Sequence, residues 1–280
     1  MTTLRAGLIG AHISRTRLPA ALKIMCDHAG LALDFTLFDT ATLKDFDFED
    51  TLTLARADGW GGMSITHPFK TRARAFASTG MADNVAHLAA CNTLVFDSPL
   101  RGYNTDYTGF LAAFTERGQK PGRVVMMGAG GVAQALAPAL IELGASELVI
   151  CDRDTARAAA LAATSGGRAI TPQDAPDLIV AADGLVNATP LGMAEYPGSA
   201  FEPALIGGQA WAFDAVYTPT HTAFLTAADR AGLHCITGFD LFRAMAVRSF
   251  EAYTGLTVPL ADILPQLDAL KPRQTGHKTT

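Results

Sequence analysis

Ten residues, Val124–Ala133 (VVMMGAGGVA), constrain this chain more than any other stretch. Four apolar residues read as a short buried strand. Gly128, Ala129, Gly130, Gly131, Val132 and Ala133 follow as a Gly-rich turn, and the Ala/Leu-rich Gln134–Leu143 is helical rather than alternating in character. A strand, a tight turn and a helix start in that order gather free backbone N–H groups and the positive end of a helix dipole at one spot, which suits a pyrophosphate. The pattern is G-x-G-G-x-A rather than G-x-G-x-x-G, so a tight turn in an ordinary α/β layer is the competing reading. Leu148–Asp152 (LVICD) favours a dinucleotide, because it reads as a second strand ending in an acid. Asp152 lies 21 residues after Gly131 (152 − 131), close to the ~20-residue spacing of the carboxylate that holds an adenosine ribose.

That acid also bears on which dinucleotide is bound. Asp152 would accept from a ribose 2′-hydroxyl and repel a 2′-phosphate, so NAD is expected over NADP. Arg153 and Arg157 pull the other way, since either could pair with such a phosphate, and Arg153 could equally stack on adenine.

A chain of 280 residues is long for one core, and two domains are expected. The net charge of −5 gives no electrostatic case for nucleic acid or an anionic membrane. Cys26, Cys91, Cys151 and Cys235 form no C-x-x-C and no metal-like spacing with histidine, so no metal is expected and isolated thiols in a reducing cytoplasm are. The apolar run Ala6–Ala11 ends at His12, Ser14 and Arg15, which argues against a signal peptide. Val124–Ile141 is long enough to suggest a membrane span, but three glycines and Gln134 interrupt it.

In chain order, strands are expected at Leu4–Gly10, Ala32–Asp39 and Gly59–Thr66, with helices at Leu18–His28, Asp45–Arg56 and Thr71–Phe76. Ala90–Phe96 and Leu100–Asp106 flank Asp97-Ser98-Pro99 as a hairpin, followed by a helix at Thr108–Glu116. After the Gly-turn unit come a helix at Thr155–Ala163 and strands at Gly184–Thr189, Trp211–Tyr217 and His234–Gly238. A helix at His221–Ala231 separates the last two, and Phe239–Tyr253 forms a final helix with an apolar face. Pro138 falls inside the first crossover helix, so either that helix kinks or its register differs. Lys271–Thr280 reads as a disordered polar tail, and a domain boundary is expected within 105–122.

Several polar residues stand out, each with a plainer alternative. Ser14 and Thr16 share a side of the chain if it is extended there, although helix capping before Leu18 would also account for them. Lys70 follows Pro68-Phe69 at a helix start, where the dipole disfavours a cation, so its placement asks for a reason beyond solvent exposure. Asp106 sits beside Asn104 and Thr105, where capping of the next helix is its ordinary role.

Taken together, these pieces resemble the shikimate/quinate dehydrogenase family over nearly the whole chain. The matching motifs are Ser14-Arg15-Thr16, Ile65-Thr66-His67-Pro68-Phe69-Lys70, Asn92-Thr93, Asn104-Thr105-Asp106 with Gly109, and Gly128-Ala129-Gly130-Gly131. Asn187-Ala188-Thr189-Pro190-Leu191-Gly192-Met193 and Val216-Tyr217-Thr218-Pro219 continue the series in order. The Ser-Arg-Thr form and the Asp152 strand end resemble the NAD-using quinate/shikimate branch.

The resemblance implies an α/β protein in which a Rossmann-type NAD-binding domain, 106–238, is inserted into a substrate domain. That substrate domain would comprise 1–105 completed by C-terminal helices at 239–270, with the active site in the cleft. It further implies Lys70 and Asp106 as the catalytic pair and Ser14, Thr16, Thr66, Asn92, Tyr217 and the residue at 245 around the substrate. Asn187, Thr189, Val216 and Gly238 would join the Gly-rich turn around the cofactor, with Asp83 as a nearby acid. The implied partner is a small cyclic hydroxy acid, and the implied assembly a monomer or homodimer.

The chemistry is coherent on its own terms. Oxidising a secondary alcohol requires a proton acceptor within hydrogen-bond reach while hydride leaves to nicotinamide. A partly desolvated lysine oriented by a carboxylate can serve. Two departures concern recognition rather than chemistry: Ser64 stands where the family pattern has Asn, and Met245 where it has Gln. Methionine cannot donate to a ring hydroxyl. The leading reading is therefore an NAD-dependent oxidoreductase with altered substrate recognition. The alternative is a catalytically weak or inactive NAD- or polyol-binding sensor on the same scaffold.

Overall fold

Strand β1 (Thr3–Gly10) carries Leu4, Ala6, Leu8 and Ile9 into the interior of the first of two units in the computed structural model, which describes residues 2–272. The expected tail therefore lies, from 273 onward, outside the described residues. The first unit comprises Met1–Gly109 with Arg243–Leu270, and the second is built on Phe110–Phe242. The breaks between the units fall at 109/110, within the 105–122 stretch, and at 242/243, and each lies inside a helix.

In the first unit β1 is followed by α1 (Leu18–His28), β2 (Ala32–Asp39), α2 (Phe48–Ala57), β3 (Gly62–Ile65), α3 (Lys70–Ala77), β4 (Thr93–Val95) and β5 (Arg101–Tyr103). The sheet order is β2-β1-β3-β4-β5, with β1 parallel to both β2 and β3, and β4 and β5 antiparallel. Helix α2 starts at Phe48 rather than Asp45 because the Asp47 carboxylate accepts the Asp50 N–H at 2.8 Å and so marks the cap. The hairpin arms are shorter than expected, and Thr105 and Asp106 belong to the next helix, α4 (Thr105–Glu116). The cap of α4 is Asn104, whose Oδ1 accepts the Tyr107 N–H at 3.1 Å, so Asp106 lies within the first turn instead of capping it.

The second unit contains β6 (Arg123–Met127), α5 (Ala133–Glu142), β7 (Glu147–Cys151), α6 (Thr155–Ser165), β8 (Arg168–Ile170), α7 (Ala175–Val180), β9 (Gly184–Asn187), β10 (Trp211–Asp214), α8 (Ala223–Arg230) and β11 (His234–Ile236). Its sheet is parallel throughout, in the order β11-β10-β9-β6-β7-β8. The chain runs outward through β7 and β8, then returns to place β9 on the other side of β6. That reversal creates a switch point at the C-terminal ends of β6 and β9. Pro138 does lie inside α5, whose limits differ from the expected ones by one residue at each end. Strand β8 and helix α7 were not legible: three and six residues are too few to establish a period. The core includes Phe110 and Phe114 packed edge-on against Phe213 and Trp211, with ring centroids 4.9 Å apart in both pairs.

Helix α9 (Gly238–Thr254) and α10 (Leu260–Asp268) end the described chain. Gly238 opens α9 rather than closing β11, because Thr237 and Asp240 form a reciprocal cap. The Thr237 N–H and hydroxyl donate to Asp240 Oδ2, and Thr237 Oγ1 accepts the Asp240 N–H. Burial pushes the thiols of Cys26, Cys91 and Cys235 up to about 11, so they behave as packing groups. No helix of the described residues is long and apolar enough to cross a membrane.

Candidate active site and nucleotide turn

In the first unit the polar residues gather at one end of the sheet. The loop after β1 holds Ser14 and Thr16, the segment after β3 holds Thr66 and Lys70, and Asn92 precedes β4, which runs antiparallel to β3. Backbone bonds fasten these segments together: Ala11 N–H to His67 C=O at 3.0 Å, Ile65 N–H to Asn92 C=O at 2.7 Å, and Cys91 N–H to Lys70 C=O at 3.0 Å. Ser14 is exposed in a turn closed by the Thr16 N–H on Ile13 C=O, so the two hydroxyls are not on an extended segment as the i, i+2 reading required. Thr16 Oγ1 accepts the Leu18 N–H at 3.3 Å, at the entry to α1.

Lys70 opens α3 and meets the carboxylate of Asp106, in the first turn of α4, at 2.6 Å. Their side chains are 17% and 15% exposed, so the pair is largely removed from water yet still reachable. The carboxylate also answers why a lysine stands at a positive helix start: Asp106 offsets the unfavourable dipole.

Asn92 holds α4 in position for that contact. Its Oδ1 accepts the Thr105 N–H at 2.7 Å and the hydroxyls of Thr105 and Thr93, each at 3.1 Å. The Asn92 amide nitrogen donates to nothing among the described residues, and no buried side-chain polar atom is left without a partner, so this nitrogen retains access to the surface. It is a donor available for a ligand.

Met245 lies beside this arrangement. A Cβ at Gly109 would come within 2.8 Å of the Met245 backbone nitrogen, so the glycine lets α4 lie directly against α9 one turn after Asp106. Ser249, fully buried, donates to the Met245 carbonyl at 2.9 Å, lies 3.6 Å from its Sδ and 3.1 Å from Thr105 Oγ1. A line of hydroxyls thus connects Met245 to Asn92. The sequence offered no sign of this, because Thr93, Thr105 and Ser249 resemble ordinary small polar residues in isolation. Ser64 is turned away from such a role. It is 4% exposed, and its hydroxyl is bonded to Tyr253 Oη at 2.6 Å, so it opens no room for a larger substituent. Asp83 is exposed at the start of a short 3-10 turn.

In the second unit, the Gly128–Ala133 turn leaves the C-terminal end of β6. Gly128 has φ 106°, and a Cβ there would lie 2.7 Å from Ala188 O, so the turn requires glycine twice over. The N–H groups of Gly130, Gly131, Val132 and Ala133 find no acceptor among the described residues. Helix α5 has neither a side-chain cap nor an acid in its first turn. Among the described residues no side chain caps this helix end, and a Cβ at Gly130 or Gly131 would meet only open space.

Asp152 directly follows β7 instead of closing it, and is half-buried. Its carboxylate accepts the N–H groups of Ala129 at 2.7 Å and Asp154 at 2.8 Å, which ties the acid to the turn and orients it. Arg157 lies 3.5 Å from the carboxylate of Asp154, the N-cap of its helix, and both Arg157 and Arg153 are exposed.

Asn187 is fully buried and spent on the protein. Its amide donates to Leu191 C=O at 3.0 Å and Asp214 Oδ1 at 2.9 Å, and its Oδ1 accepts from the Thr189 N–H and hydroxyl. Asp214, at the end of β10, also accepts the Val216 N–H at 2.9 Å and the Thr222 hydroxyl at 2.6 Å. Burial pushes its carboxyl up to about 6, opposed by these three donors. This hub is why β10 stops at Asp214 rather than Tyr217, whose ring stacks on Phe242 with centroids 5.5 Å apart. Gly238 packs against the backbone of Ala215 and Val216. Asp214 was not anticipated, although an acid closing the apolar run of WAFD was a visible signal.

Residues 8–94 match the family model for the shikimate dehydrogenase substrate binding domain, and residues 112–193 that for shikimate / quinate 5-dehydrogenase. The chain is 37% identical over 264 residues to a quinate/shikimate dehydrogenase (NAD(+)) of Corynebacterium efficiens, covering 89% of this chain and 92% of the relative. It is 36% identical over 262 residues to a shikimate dehydrogenase (NADP(+)) of Streptomyces avermitilis, covering 89% of each. The structure of quinate dehydrogenase from Corynebacterium glutamicum in complex with NAD superposes with a TM-score of 0.90 at 33% identity, over 96% of this chain and 100% of that one. With its parallel nucleotide-type sheet and a match to known relatives over nine-tenths of its length, the chain belongs to the shikimate and quinate dehydrogenase family.

Proposed function

We propose that this protein is an NAD-dependent oxidoreductase that interconverts a secondary alcohol and a ketone on a shikimate- or quinate-like cyclic hydroxy acid. The observation that carries the reading is the 2.6 Å contact between Lys70 Nζ and Asp106 Oδ2 beside the free amide donor of Asn92. In the oxidising direction Lys70 takes the hydroxyl proton, and in the reducing direction its ammonium returns one to the ketone oxygen. Asp106 orients Lys70 and balances its charge. Ser14, Thr16, Thr66, Asn92 and Tyr217 supply the polar groups for the acid and ring hydroxyls, and Met245 presents a thioether to the ring. When bound, NAD supplies the hydride acceptor at its nicotinamide ring.

The free N–H groups of Gly130–Ala133 fit a pyrophosphate, and the oriented carboxylate of Asp152 fits a ribose diol. Preference for NAD follows from the charge of Asp152, which is tied to the turn, whereas Arg153 and Arg157, the groups that would favour a phosphate, are both exposed. Val216, Gly238, Thr189 and Asn187 are assigned to the nicotinamide side, Asn187 as a positioning residue because its side chain is saturated. A sensor that never turns over has no use for a lysine and an aspartate held in hydrogen-bond contact, so the catalytic reading is preferred.

The test is NAD and NADP reduction against quinate, shikimate and their deoxy and amino analogues, with Lys70→Ala alongside. Turnover with NAD, falling ~10²-fold or more in kcat in Lys70→Ala at unchanged NAD affinity, is expected. No turnover of any panel member, or an active Lys70→Ala enzyme with the same pH profile, overturns it.

A further inference from the structure

Three of the four sheet edges in this protein are strands of three residues, β5, β8 and β11, whereas the fourth, β2, has eight. A long open edge is a template for another strand, and proteins usually blunt it with lysine, proline or a bulge. Strand β2 (ALDFTLFD) has no lysine, proline or bulge, and its one mid-strand charge, Asp34, lies 3.3 Å from Arg5 of β1. Its register with β1 runs unbroken from Thr3↔Ala32 to Gly10↔Asp39. No residue of β2 is fully buried, and Leu37 is 39% exposed.

Backbone direction alternates along a strand, so two bonds fix which groups face outward. The Ala32 N–H donates to Thr2 C=O at 3.0 Å and the Thr40 N–H to Gly10 C=O at 2.8 Å, so the even-numbered residues point their N–H and C=O groups at β1. Leu33, Phe35 and Leu37 therefore point theirs at the open edge, where no described group bonds to them.

We propose that β2 pairs with β2 of a second copy of this chain, antiparallel about a two-fold axis at Phe35, joining two five-stranded sheets into one. The register follows from the sequence. In an antiparallel two-fold pair, facing residues must share a side of the sheet, so the axis passes through a residue position. Centred on Phe35, Leu33 faces Leu37 of the other copy and Phe35 faces Phe35, three hydrogen-bonded apolar pairs, while Asp34 faces Thr36. Centred on Asp34, two carboxylates would oppose each other, and centred on Thr36, Leu33 would face Asp39 and Asp34 would face Phe38. Centred on Leu33 only residues 32–34 of β2 would pair, and centred on Leu37 Phe35 would face Asp39, so the Phe35 register alone pairs most of the strand with apolar against apolar and acids off acids. This inference is independent of the proposed reaction.

The test combines sedimentation with cross-linking. The wild-type chain should sediment as a dimer, and Phe35→Pro, which removes an outward N–H and leaves the β1 ladder intact, should sediment as a folded monomer. Leu37→Lys should weaken the dimer as well, and circular dichroism checks that both variants fold. Facing residues of a hydrogen-bonded pair lie about 5.5 Å apart at Cα, within disulfide reach. Phe35→Cys should therefore cross-link two copies under mild oxidation, and Leu33→Cys should not. A wild-type monomer at high concentration, a dimer unaffected by Phe35→Pro and Leu37→Lys, or cross-linking through Leu33→Cys in preference to Phe35→Cys overturns the proposal.

Discussion

At the scale of single residues, the two departures from the family pattern separate. Met245 lies against α4 one turn beyond Asp106, and its sulfur neighbours the hydroxyl line that ends on Asn92. A glutamine there regains an amide for a ring hydroxyl, and one such bond is worth about 0.5–1.5 kcal/mol. Met245→Gln should thus lower the KM for shikimate by about 2- to 10-fold with little change in kcat, measured by steady-state kinetics. Ser64 behaves differently. Because its hydroxyl is bonded to the buried Tyr253 hydroxyl, whose own ionisation burial suppresses, Ser64→Ala should act on stability. A loss of about 1–3 kcal/mol in urea unfolding is expected, with KM unchanged, since a buried phenol loses its partner. Tyr253→Phe in the Ser64→Ala background should recover part of that loss. Asn at 64 would not simply join a substrate site, as the sequence pattern suggested.

Among elements, the ends of β9 and β10 are organised by one buried carboxylate. Asp214 receives Asn187, Val216 and Thr222, and so couples the loop after β9, the turn after β10 and the cap of α8. Its folded pKa, raised from 3.8 to about 6, means that the native state holds a proton which the unfolded chain has already released between those values. The unfolded state binds fewer protons there, so stability falls as pH rises through that window. The contribution is fully present below pH ~4 and lost above pH ~6, amounting to about 3 kcal/mol. Asp214→Asn should remove this dependence. Urea unfolding of wild type and variant at pH 4.5 and 6.5 should show the difference between them shifting in the variant's favour at the higher pH. Parallel pH curves would show that Asp214 does not titrate in this range.

For the whole molecule, each unit has its own sheet, and the nucleotide turn belongs to the second. A ligand that binds only the native state stabilises by about 2.7 kcal/mol at one hundred times its Kd. Saturating NAD should therefore raise the melting temperature of the protein, and NADP at the same concentration should raise it less. Asp152→Ala should narrow that gap. An equal or larger shift with NADP in the wild type would show that Arg153 outweighs Asp152.

The sequence by itself determined what depends on near neighbours in the chain. Strand, Gly turn and helix in succession specify the nucleotide turn, because backbone conformation and the helix dipole are local properties. Lys70 and Asp106 were legible as separate oddities, each in its own motif. That they touch was decided by the tertiary structure, in which Asn92, held between β3 and β5, fixes the start of α4. The same holds for Asp214, for the Thr93–Thr105–Ser249 line, and for Ser64 turning to Tyr253 across 189 residues of chain. A buried polar group must find its partner wherever the fold brings one, and no period in the sequence records a bond between residues that distant. Short elements such as β8 and α7 were lost for a related reason: only packing on their neighbours makes them regular, and three to six residues carry too little pattern to announce it.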